Sequence, residues 1–116
     1  MRKTDKKRDK QLGECLTQVC QHSLTQYNGF QWLTHIVNYA HFPKSLKIVC
    51  VFDTEHNLNI FLKSHHRQQL NSLIHQALFK LNINIRNIVS HISYDTEERC
   101  QKEHNGNWAK RCAQAH

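Results

Sequence analysis

Between about Asp5 and Asn28, the apolar positions Leu12, Cys15, Leu16, Val19, Cys20, Leu24 and Tyr27 recur at three- and four-residue steps. That spacing places them on one face of a helix. The turns before Leu12 are nearly all charge and are expected to fray. Asn28-Gly29 closes the pattern, since glycine takes the left-handed end of a helix at little cost. The next run, Phe30 to Tyr39, is rich in aromatic and β-branched residues and reads as a strand. A second strand follows over 46–52, where Leu46, Ile48, Cys50 and Phe52 alternate with Lys47, Val49 and Val51. Its end, IVCVF, is apolar at every position and calls for cover on both faces. The short connection holds the only proline, Pro43, so the two strands are expected to form an antiparallel hairpin.

Asp53-Thr54-Glu55 is a helix-start signal, with an oxygen-bearing cap ahead of an acidic first turn. Helical spacing then runs to about Leu81 in two pieces. The first carries Leu58, Phe61 and Leu62; the second carries Leu70, Leu73, Ile74, Ala77, Leu78 and Leu81, with a bend over 63–67. A third strand is expected over 86–94. Asp95 and Glu98 stand at capping-box spacing and open a helix to about His104. Asn105-Gly106-Asn107 ends it, leaving a last turn or two over 108–112. The order α-β-β-α-β-α predicts an α+β fold in two layers, a three-stranded sheet with helices mainly on one face. The crossover to the third strand should make it parallel to the second.

With 116 residues, the chain suits one domain. Its net charge of +7 is unevenly spread: residues 1–10 carry +4 and residues 11–116 only +3. The expected organisation is a flexible basic tail over 1–10 and a single α+β domain over 11–116. No apolar stretch is long enough for a bilayer, and MRKTDKKRDK lacks an apolar signal core. Five cysteines at irregular spacing read as reduced thiols. A cytoplasmic protein with no membrane association is the expectation.

Two segments echo one another: Phe52-Asp53-Thr54-Glu55 and Tyr94-Asp95-Thr96-Glu97 each hand a strand over to a helix. Capping explains both copies. Gathered at one sheet edge, the same acids could instead hold Mg²⁺ for phosphodiester hydrolysis centred on Asp53 and Asp95. Cys100 with His104, and Cys112 with His116, are four apart on helical faces, but their order is not that of a zinc finger. Cys50 lies mid-strand, where thiols pack rather than react. The three glycines stand far apart, so no phosphate loop is present. No catalytic residue, metal, cofactor or small-molecule substrate is expected.

The candidate chemistry is therefore recognition. Lys3, Lys6, Lys7, Arg8, Lys10, Lys44 and Lys47 are candidate phosphate contacts, and Trp32 and Phe42 candidate stacking platforms for RNA or DNA. The stretches GFQWLTH, FPKSL and CVFDT, and later YDTEE with EHNGNW, resemble a family of short bacterial proteins that automatic pipelines often label Fis-family transcriptional regulators. The resemblance covers nearly the whole chain and carries no residue roles. The element order is also loosely similar to KH-type and ribosome-binding-factor folds, without the GxxG loop of the former. The sequence thus points to a small binding protein, an accessory domain for nucleic acid. The alternative is a protein-interaction or homodimerisation module covering the apolar face of IVCVF. The metal-dependent phosphodiesterase is the third reading.

Overall fold

The computed structural model describes residues 2–115. Its elements are α1 (Lys3–Gln26), β1 (Phe30–Ile36), β2 (Lys47–Phe52), α2 (Glu55–Lys63), α3 (His66–Lys80), β3 (Ile92–Thr96), α4 (Glu97–His104) and α5 (Trp108–Ala115). Short 3₁₀ turns lie at Tyr39–His41 and Ile88–His91. Strand β2 is central, antiparallel to β1 and parallel to β3. A parallel neighbour needs a long crossover, and α2 and α3 provide it. This is the α+β fold that the sequence pattern predicts. Among the described residues no helix is long and apolar enough to cross a membrane.

One face of the sheet carries the main core. Ile48, Cys50 and Phe52 of β2 cluster there with Leu12, Leu16 and Val19 of α1, Leu58 and Phe61 of α2, and Leu70, Ile74 and Leu78 of α3. In α1 the buried residues are Asp5, Leu12, Leu16, Val19 and Ser23, a stripe at steps of three, four and seven. Leu24, expected in that stripe, is half exposed instead. It falls outside the phase set by Leu12 and Leu16. Ser23 takes the inward place and satisfies its hydroxyl by donating to the Val19 carbonyl at 2.7 Å.

The opposite face is closed from within the chain. Val49 and Val51 alternate with the core residues of β2 and are 0% exposed. A bulge in β1 between Phe30 and Trp32 sets Trp32 opposite Val51, on that face. Trp32 meets Trp108 of α5 edge to face, with ring centroids 4.8 Å apart. Asp95, also aligned with Val51, is held by Arg111 of α5. Around Val51 that face is closed by Trp32 together with Trp108 and Arg111 of α5, a helix that runs on to Ala115 rather than ending at Cys112.

Several boundaries differ from the sequence reading. Strand β1 ends at Ile36 rather than Tyr39, because Tyr39–His41 coil into a 3₁₀ turn capped by the Asn38 side chain, which accepts from the Ala40 amide. Strand β3 starts at Ile92, because residues 88–91 coil into a turn whose His91 Nδ1–H donates to the Leu46 carbonyl at 2.6 Å. The helix caps are the threonines rather than the aspartates. Thr54 Oγ1 accepts from the Asn57 amide at 3.1 Å, and Thr96 Oγ1 from the Arg99 amide at 2.9 Å. The Asp95 carboxylate is engaged by Arg111, and the cap falls to Thr96, the next residue. The expected flexible tail is also helical from Lys3 onward.

Candidate nucleic-acid interface

Helix α1 extends to Lys3 because its early acids continue the inward stripe. Asp5 and Asp9 stand seven and three residues before Leu12, in phase with Leu16 and Val19. Asp5 is 8% exposed and receives the Arg2 Nε–H at 3.4 Å. Asp9 Oδ1 accepts from the Tyr39 hydroxyl at 2.7 Å and from His35 Nε2–H at 2.9 Å. These two bonds hold the Asp9 carboxyl below its ordinary range. Burial, reinforced by the Asp9 bond, pushes the Tyr39 phenol upward. Beside them, the Arg8 guanidinium lies 4.4 Å from the centre of the Phe42 ring, which stacks on Tyr39. The segment that looks most soluble in sequence is thus docked on the end of the hairpin.

Docking sorts its charges. Asp5 is buried and Asp9 is held by Tyr39 and His35, while Lys3, Lys6, Lys7 and Lys10 are exposed. At 3.6 residues per turn the four fall within an arc of about 100° centred nearly opposite the buried stripe. They span roughly 10 Å along the axis at 1.5 Å per residue. Glu14 follows them along the same side of the helix, so the uninterrupted cationic face belongs to the first turns alone.

The structure brings most of the sequence-predicted site residues to one end of the molecule. Lys44 is exposed in the turn after Pro43, and Lys47 pairs with Ile36 where the hairpin begins to close. Lys47 shares the side of β2 that carries Val49, so it flanks the lysine face instead of joining it. Trp32 is not brought there. Its Nε1–H donates to Glu97 Oε1 at 2.6 Å, and the other oxygen of Glu97 takes the Trp108 Nε1–H at 3.0 Å. Phe42 lies at the correct end but has Arg8 and Tyr39 against it. Neither aromatic is placed as a stacking platform. Asp9, which organises this end with His35 and Tyr39, is not among the residues that the sequence singles out. The available signal was the phase of Asp5 and Asp9 with Leu12.

At the carboxyl ends of β2 and β3 the echoed acids do assemble, and each has a partner within the protein. Asp53 accepts from the Thr54 amide and from Asn57 Nδ2. Glu55 pairs with Arg99 at 2.6 Å, while Glu98 accepts the Glu55 amide at 3.0 Å. Asp95, 1% exposed, takes two bonds from Arg111, which is 5% exposed. Arg111 Nη1 also donates to Glu103 and to His104 Nδ1, each at 3.1 Å. Arginine has only donors, so His104 Nδ1 must present a lone pair there. Among the described residues no group of three His, Cys, Asp or Glu is arranged to hold a metal ion. The Cys112–His116 pair lies partly outside the described residues. The Cys50 thiol is fully enclosed and pushed up by burial, a packing role. No protein-family model, curated protein or solved structure matches the chain.

Proposed function

We propose that this protein is a non-enzymatic nucleic-acid-binding domain that grips the phosphate backbone through Lys3, Lys6, Lys7 and Lys10. Lys44 extends the contact, and Arg8 and Lys47 flank it. One observation carries the reading: Asp5 is buried and the half-exposed Asp9 is bonded to Tyr39 and His35, so the charged side chains on the side of that segment opposite the buried stripe are all lysines. Lysines at phosphate oxygens release counterions from nucleic acid, which gives affinity without sequence information. Trp32 and Phe42, engaged elsewhere, take no part.

The test is fluorescence anisotropy on the full chain and on the variant K3Q/K6Q/K7Q/K10Q. These side chains point to solvent, so the variant should fold unchanged, as circular dichroism would check. Its affinity for labelled nucleic acid should fall by roughly ten- to a hundredfold at moderate salt. Equal affinity in a folded variant would contradict the proposal.

A further inference from the structure

Which nucleic acid the lysine face fits follows from its shape and from what surrounds it. Proteins that hold single strands add to their cationic groove aromatic rings on which bases stack, each worth about 1–3 kcal/mol. The two rings at this end, Tyr39 and Phe42, are partly buried and stacked on each other, with the Arg8 guanidinium over Phe42. Trp32 is bonded to Glu97 on the far side of the sheet, and the Tyr39 hydroxyl is taken by Asp9. The most exposed aromatic, Phe79 at 65%, is on α3 and does not line the groove in which α3 meets α1. Without stacking, charge density decides. Duplex DNA carries one phosphate charge per roughly 1.7 Å of axis, twice the density of one of its strands.

Shape narrows the choice further. The cations sit on a convex helical face about two turns long, with the other side of the helix fastened to the hairpin. A helix about 10–12 Å across matches the B-form major groove, about 12 Å wide, whose walls are phosphates. The deep, narrow major groove of A-form RNA does not admit it. Resting on the proposed backbone binding, we infer that the lysine face of α1 docks across the mouth of the major groove of duplex DNA and contacts phosphates without reading bases.

The experiment compares labelled duplex DNA, the same strand alone, and duplex RNA of equal length against the full chain at one moderate salt concentration. Duplex DNA should bind tightest, by about tenfold or more, with little change when its sequence is scrambled. K3Q/K6Q/K7Q/K10Q should lose that preference, and Phe79→Ala should leave it intact. Equal or tighter binding of the single strand or of duplex RNA would overturn the choice of duplex DNA while the backbone-binding reading stood. So would loss of binding in Phe79→Ala. Failure of all three probes to bind would overturn both.

Discussion

Tyr39 donates its hydroxyl to the Asp9 carboxylate at 2.7 Å, and this bond, with that from His35, fixes which side of α1 meets solvent. Its pH dependence follows from the direction of each shift. Asp9 is held below its ordinary value by His35 and Tyr39. A lowered carboxylate stabilises the fold fully above its unfolded pKa, about 4, and that contribution is lost as pH falls through the folded value. The stability difference between wild type and Asp9→Ala should therefore be constant near neutrality and shrink in acid. Denaturant melts over a pH series would show it. A difference that grows in acid would contradict the assignment.

The opposite sign holds for tyrosine. Burial is the largest cause raising all three tyrosines, Tyr27, Tyr39 and Tyr94. Their contributions are complete below the unfolded value near pH 10 and are lost as pH rises through the folded values. An ultraviolet absorbance titration should show no phenolate forming at the ordinary pH of tyrosine while the fold persists. A normal titration of one tyrosine in the native protein would count against its placement.

Arg111 and Asp95 form the most enclosed ion pair, with Nε to Oδ2 at 2.6 Å and Nη2 to Oδ1 at 2.9 Å. Removing one partner strands a buried charge, so Arg111→Met and Asp95→Asn should each cost about 3–5 kcal/mol. The double variant should be less destabilised than the sum of the two, a coupling that chemical denaturation can measure. Additive losses would mean that the two groups act separately.

Two glycines should respond in opposite directions. Gly29 has φ +86°, and a Cβ there would lie 2.6 Å from Asp53 Oδ1 and 2.7 Å from the Asn57 Cβ. Gly29→Ala should cost at least about 1–3 kcal/mol through the strained backbone, with the clash adding to it. Gly13 lies within α1 with nothing within 4 Å of a built Cβ. Gly13→Ala should stabilise by about 0.5–1 kcal/mol. Thermal melts of the two variants decide the matter.

Much of the fold was legible because apolar spacing fixes element type. The first helix, the hairpin, the paired helices of the crossover and the parallel third strand all follow from it. What escaped depended on contacts distant in sequence. Asp95 reads as a cap until Arg111, sixteen residues on, is known to hold it inside β3. Trp32 reads as a free ring because neither the bulge that sets its face nor the Glu97 carboxylate that takes its N–H is marked locally. The site was half legible. Its lysines were visible as composition, but an apolar-only reading stopped the helix stripe at Leu12. Asp5 and Asp9 continue that stripe as polar residues whose partners lie across the fold.

The central claim is that the four lysines on the solvent side of α1 meet phosphates, and the dependence of binding on salt tests it most directly. Plotted as log affinity against log salt on duplex DNA, the four lysines together with Lys44 should give the full chain a slope of about −4 to −5. K3Q/K6Q/K7Q/K10Q should be shallower by about 3. The same slope in both proteins would contradict the account, because the phosphates would then be met by some other surface.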